Sequence, residues 1–172
     1  MARLREESGQ AITSVSFSPD GRLLATTREG IERIDPANMH ATSRGVEGIA
    51  DVWNAQTGDR VATLTAVSPI GDIRFGPEGT SVATGHADGT VWLWDPDAGV
   101  QQLALDASRH PVRDVRLSTD GSRLATVDEY GLARVWALDL DDLFAIATDC
   151  LTRTFSGDEC RQYLHLERCP QP

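Results

Sequence analysis

The stretch IRFGPEGTSVATGHADGTVWLWD, residues 73–95, reads as three short strands joined by two tight turns. Ile73 and Phe75 begin a period-two alternation. Pro77-Glu78-Gly79 interrupts it with turn chemistry, the proline presetting φ and the glycine accepting φ > 0. Ser81 to Thr84 resume the alternation. Asp88-Gly89 predicts a two-residue hairpin turn in which both central positions take φ > 0. Val91-Trp92-Leu93-Trp94 then closes the unit with aromatic and β-branched residues that suit a pleated, buried surface.

The pattern recurs on both sides. Downstream come Val115 to Gly121, Arg123 to Thr126 and Gly131 to Trp136; Ile73 to Val115 and Trp94 to Trp136 are each 42 residues. Upstream, Val15 to Gly21, Arg22 to Thr26 and Gly48 to Trp53 give a third copy. A period of roughly 40–45 residues with four short strands per unit points to propeller blades. The segments FSPDG (Phe17–Gly21), FGPEG (Phe75–Gly79), LSTDG (Leu117–Gly121) and WLWD (Trp92–Asp95) resemble the WD-repeat β-propeller family over about residues 3 to 137. The expected fold is all-β: a partial propeller of about three four-stranded antiparallel blades with a C-terminal helical extension. Fold alone leaves function open.

Composition narrows the function. A net charge of −10 and a pI near 4.7 lack the basic footprint of nucleic-acid binding and disfavour docking on anionic lipid. No nucleic-acid or membrane partner is expected. All 16 basic residues are arginine, a residue suited to bidentate carboxylate recognition but also the product of a GC-rich genome. No apolar run approaches the roughly 20 residues that span a bilayer, and Met1 to Glu7 lack the apolar segment of a signal peptide. A cytoplasmic location is expected. Three cysteines, Cys150, Cys160 and Cys169, make no disulfide framework.

Blade 1 is expected at about 12–65, blade 2 at about 70–106 and blade 3 at about 112–137. Residues 3–10 fall where the family places the outer strand of a preceding blade. Ala25 to Trp53 spans 28 residues where Ala83 to Trp94 spans 11, so blade 1 carries an inserted segment at 28–47, read as a long surface loop. Such loops are usually functional or disordered. Beyond Asp139, Leu140, Leu143, Phe144, Ala147 and Leu151 take helical spacing, and Ser156 with Glu159 forms a capping box for a second helix, giving a helical extension at 139–170.

Three blades cannot close a ring that generally needs about four to eight. The arc is therefore expected to complete itself with a second copy, as a homo-oligomer, or with a complementary propeller fragment, or to be a fragment of a longer chain.

In WD-repeat families a His, a Ser or Thr, an Asp and a Trp form a buried hydrogen-bonded set. The resemblance assigns Thr84, Asp88 and Trp94 to that set in blade 2, Thr126 and Trp136 in blade 3, and Thr26 and Trp53 in blade 1, all structural. Tyr130 replaces the turn Asp of blade 3 and Ser108 falls near its His position, while Ala66 or Val67 occupies the His region of blade 2. The counterparts of Trp92 are Asp51 and Arg134, so a water-tolerant site is expected there and Trp92 is read as a partner anchor, with packing against a neighbouring blade as the alternative. Arg28, Arg33, His40 and Arg44 in the insertion are candidate partner-binding residues for acidic or phosphorylated groups. Cys150, Cys160, His165 and Cys169 offer a zinc ligand set in type but have no C-x-x-C pair, and no metal or cofactor is expected. Catalytic arrangements of the serine-hydrolase or phosphate-loop kind are not evident.

Leu151–Pro170 resembles the end of large bacterial WD-repeat signalling regulators. The expectation is a bacterial, cytoplasmic, non-catalytic scaffold that binds proteins, with a split propeller half as one alternative and an enzyme or metal-binding protein as another.

Overall fold

Ser18 to Gly21, Gly76 to Gly79 and Ser118 to Gly121 fold into the same turn, and these turns set the repeat. In each the last N–H donates to the first carbonyl, at 2.9, 3.1 and 3.0 Å. The closing residue is a glycine at φ of 70–74°, which an L side chain adopts only at a cost of about 1–2 kcal/mol. A second bond, such as Ser18 N–H to the Leu23 carbonyl at 2.9 Å, starts the ladder.

The computed structural model describes residues 11–28, 32–33 and 45–139. In chain order their strands are β1 (Ile12–Phe17), β2 (Leu23–Arg28), β3 (Glu32–Arg33), β4 (Gly45–Val46), β5 (Gly48–Asn54), β6 (Arg60–Ala66) and β7 (Ile70–Phe75). There follow β8 (Val82–His86), β9 (Thr90–Asp95), β10 (Val100–Asp106), β11 (Val112–Leu117), β12 (Arg123–Asp128) and β13 (Ala133–Ala137). The expected outer strand at 3–10 and, past Asp139, the helical extension lie outside the described residues, as do Cys150, Cys160, His165 and Cys169.

Three antiparallel sheets, ordered β1-β2-β5-β6, β7-β8-β9-β10 and β11-β12-β13, give the all-β partial propeller expected. The sheets are blades 1, 2 and 3. Between β2 and β5 the chain does not run wholly as loop. Glu32 pairs with Val46 and Arg33 with Gly45 in a ladder of two residues a side, too short for any hydrophobic periodicity to announce it.

Each blade bends at the same place. The register slips between Ile12 and Ser14, between Ile70 and Asp72, and between Val112 and Asp114. A bulge re-aims the side chain that follows it, so Ser14, Asp72 and Asp114 take corresponding positions on the three innermost strands. β1 packs on β7 and β7 on β11. Ala25, Val52 and Leu64 of blade 1 meet Ile73, Val82 and Trp94 of blade 2 in one buried cluster, where each fully buried aliphatic side chain contributes about 1.5–3 kcal/mol. On the other side of blade 2, Gly85 lies against Val112 and Val115; a Cβ there would come within 2.7 Å of Val112 Cγ1.

The hairpin at Asp88-Gly89 differs from expectation. Gly89 N–H donates to the His86 carbonyl at 3.2 Å, making a three-residue connection with Gly89 at positive φ, 89°. Asp88 instead accepts the Thr90 N–H and hydroxyl at 3.0 and 2.7 Å, an Asx turn that does not need φ > 0 at the aspartate. The Gly89 carbonyl accepts N–H groups of Ala107 and Ser108, and an added Cβ would stand 2.0 Å from the Ser108 carbonyl oxygen. Gly89→Ala is therefore expected to destabilise by more than about 2 kcal/mol, read as a lowered urea midpoint; an unchanged midpoint would refute this account of the turn.

Candidate functional site

A hydroxyl and an indole mark the centre of each blade. Trp53 Nε1 donates to Thr26 Oγ1 at 2.9 Å, Trp94 to Thr84 at 2.8 Å and Trp136 to Thr126 at 3.1 Å. Thr26, Thr84 and Thr126 are all buried, so the bond satisfies two polar groups that would otherwise be costly inside.

Beside this pair, two further positions hold different chemistry in each blade. One lies two residues after the threonine, and the other pairs with that threonine across the ladder or lies in the matching place. In blade 1 they are Arg28 and Asp51, joined at 3.2 Å. In blade 2 they are His86 and Trp92, rings 5.1 Å apart. In blade 3 they are Asp128 and Arg134, at 3.8 Å, with the charges exchanged relative to blade 1. The positions adjoin across neighbouring strands, so a residue at one must complement its mate.

The expectation that this row tolerates water does not hold in blade 1. Asp51 is 0% exposed, because the Thr63 hydroxyl donates to it at 2.6 Å and the guanidinium groups of Arg28 and Arg60 approach at 3.2 and 3.7 Å. Arg60 also lies over the Trp53 ring, 5.9 Å from its centroid. Arg28, expected to face a partner, turns inward to Asp51, its side chain 12% exposed. Arg33 lies on β3; His40 and Arg44 fall outside the described residues. Trp92 is partly buried against the blade 1–blade 2 cluster, its ring tilted against His86 and Trp94. Asp88 does not join the Trp94–Thr84 pair and caps its own turn.

His86, which sequence reading passed over, completes the blade 2 set. Its Nδ1 lies 3.3 Å from the Ser68 carbonyl, which can only accept, so Nδ1 carries the proton. Nε2 then accepts the Thr84 hydroxyl at 2.8 Å, and Thr84 Oγ1 accepts Trp94 Nε1–H. This direction of donation requires a neutral ring, and burial holds the His86 pKa below its ordinary 6.5 despite Asp88 nearby. In blade 3 the same place is taken by Asp128, whose Oδ2 accepts the Ser108 hydroxyl at 2.8 Å. That bond, with the N–H groups of Leu132 and Tyr130 and the charge of Arg134, holds the Asp128 carboxyl below its usual range.

Asp72 joins three blades at their inner strands. Its Oδ1 accepts the Ser14 hydroxyl at 3.2 Å and meets Arg74 at 2.8 Å. Its Oδ2 accepts the Val115 N–H at 3.2 Å and meets Arg116 at 3.4 Å. Burial raises its pKa, opposed chiefly by the Val115 bond.

The connections between blades and between second and third strands share one rim. Ala87 N–H donates to the Pro69 carbonyl and Glu129 N–H to that of Pro111, each at 2.9 Å. Asp88 N–H donates to the Ser68 hydroxyl at 3.0 Å, and His110 meets Tyr130 edge-on at 4.5 Å. Val67, Tyr130 and Leu132 are exposed on this rim. Among the described residues no group of three or more His, Cys, Asp or Glu is placed to hold a metal ion.

The family model described as WD domain, G-beta repeat, matches residues 2–30 and 58–95. The chain is 31% identical over 123 residues to eukaryotic translation initiation factor 3 subunit I of Pyricularia oryzae, covering 70% of this chain and 30% of that protein. It is 30% identical over 132 residues to human coronin-7, covering 76% of this chain and 13% of coronin-7. With the WD repeat-containing protein 91 homolog of Dictyostelium discoideum it shares 24% identity over 128 residues, 73% of this chain and 15% of that one. These relatives are eukaryotic, and the chain spans about a third or less of their lengths. The fold is that of a partial propeller, and the match to the WD-repeat model falls on residues 2–30 and 58–95 of it.

Two outcomes follow from the exchanged pairs. Arg28→Asp or Asp51→Arg alone leaves like charges buried together and is expected to cost about 3–5 kcal/mol. The double exchange, which reproduces the polarity of blade 3, should recover part of that in chemical denaturation, the remaining deficit coming from Arg60. For His86, the unfolded chain binds its proton from about pH 6.5 downward while the folded ring resists. Stability contributed by the neutral ring is therefore full above pH 6.5 and lost as pH falls below it. The melting temperature should decline over that range in the wild type, and His86→Leu should abolish this part of the decline while lowering stability throughout.

Proposed function

We propose that the chain is a non-catalytic protein-interaction module whose binding surface is the rim bearing Val67, His110, Tyr130 and Leu132, with the basic residues of the inserted segment 28–47 as further contacts. One observation carries this: the blades fix that rim through backbone bonds between connections, yet it presents large apolar side chains to water. Exposed aromatic residues on a rigid frame are what interface hot spots require. Arg33, His40 and Arg44 lie in the same inserted segment and add basic groups suited to an acidic partner. The bacterial regulator resemblance of Leu151–Pro170 and the all-arginine composition support a cytoplasmic bacterial signalling scaffold as the setting. Affinity capture with the wild type and with Tyr130→Ser/Leu132→Ser should show the same partners enriched at least about tenfold less on the variant. Partners bound equally by both would sink the rim assignment.

A second reading rests on a different observation. Val15 and Phe17 are 56% and 62% exposed, whereas Ile73 and Val115, which correspond to Val15 in the other blades, are 0% exposed. The arc on this reading is a propeller half that assembles with another. Sedimentation at several concentrations separates the two, since only an assembling half changes mass with concentration.

A further inference from the structure

The three blades repeat one docking rule. The face carrying the Thr–Trp pair packs onto the opposite face of the blade before it. Ile73 and Phe75 of β7 pack in this way on blade 1, and Val112 and Val115 of β11 on Gly85 of blade 2. Where β11 meets blade 2, the Val115 N–H on the inner edge is received by the Asp72 carboxylate.

Both halves of this contact recur on the innermost strands at the two ends of the described arc, with no blade against them among the described residues. On blade 1, Val15 pairs with Thr26 and Phe17 with Leu24, as Ile73 pairs with Thr84 and Phe75 with Val82. The strand that carries Val15 and Phe17 has the docking register but leaves both side chains in water. On blade 3, Asp114 pairs with Val127 and Arg116 with Ala125, the register of Asp72 with Gly85 and Arg74 with Ala83 in the face that receives β11. Asp114 is bonded to Arg116, and its side chain remains 42% exposed.

We propose that the Asp114 face of one copy receives the Val15–Phe17 strand of a second copy, the Asp114 carboxylate accepting the second copy's Val15 N–H as Asp72 accepts that of Val115. This rests on the reading of the arc as an assembling half and specifies its contacts. Charge favours the match: Ile12–Phe17 carries no ionised side chain, so an aspartate meets strand-edge N–H groups without repulsion. Shape favours it too. Val127 stands where Gly85 does, but Thr27, of nearly the same size and shape, fills that place on the blade 1 face and is fully buried. Two copies joined twice in this way make six blades, inside the range of about four to eight that closed propellers use; three copies overshoot it.

The test is sedimentation equilibrium of the full chain over a thousandfold concentration range. The wild type should reach twice its 18.7 kDa mass. Phe17→Glu and Asp114→Arg should each remain at the single mass, with the strand signal in circular dichroism retained. Mixing those two variants should restore the doubled mass, because the pair keeps one intact contact; that result distinguishes head-to-tail docking from a contact of like faces. Asp114→Ala, the milder change at a half-exposed position, should weaken association about ten- to a hundredfold. A doubled mass that none of the substitutions alters overturns this pairing and leaves self-assembly standing. A single mass at every concentration overturns both and leaves the two faces to blades of a different chain.

Discussion

The Asp72 carboxylate ties the arc together. A carboxylate taken out of water costs several kcal/mol unless its oxygens are matched, and those of Asp72 meet a serine, a backbone N–H and two arginines drawn from three strands. Because the donors come from β1, β7 and β11 together, the blades cannot slide past one another without stripping a buried charge of its partners. The apolar cluster between blades 1 and 2 and the close approach of Gly85 to Val112 are both set by that fixed spacing. Hydrophobic burial supplies the larger energy, but it is non-directional; the carboxylate supplies the register.

Away from the inner strands, stability is decided blade by blade. The Thr–Trp bond is constant, while the neighbouring positions carry Arg28–Asp51, His86–Trp92 or Asp128–Arg134. These are three answers to one requirement, that two adjoining buried side chains complement each other. Ion pairs in blades 1 and 3 require further donors to be tolerable, which is why Thr63 and Arg60 converge on Asp51 and Ser108 on Asp128. Blade 2, between the others, uses aromatic contact and the histidine relay.

The blades themselves were legible because their signals are local. Proline or threonine followed by a residue and a glycine encodes the turn, and alternation encodes the strands. The threonine stands five residues after the glycine of each turn, and in blades 2 and 3 the tryptophan stands fifteen after it. What escaped the sequence depends on contacts between distant segments. Asp72 looks like any strand-surface aspartate until the bulge before it turns it toward Ser14 and Val115. His86 and Asp128 sit at strand ends where polar residues are ordinary, and nothing local reveals Ser68 or Ser108 across the rim. Arg28 belonged by composition to a basic insertion, yet it is the last residue of β2 and so shares a face with Asp51. The two-residue hairpin expected at Asp88-Gly89 gave way because the Gly89 carbonyl is drawn to the next connection, which a pattern of residue types cannot register.

Thr27, Gly85 and Val127 occupy one equivalent place on successive blades, and they differ in bulk. The bare backbone at Gly85 allows the third blade to settle where a threonine holds the second from the first. Curvature is therefore written unevenly along this chain, one side chain at a time. Shuffling its repeats, by duplication or by grafting, would change the angle turned at each step even if every hairpin still folded.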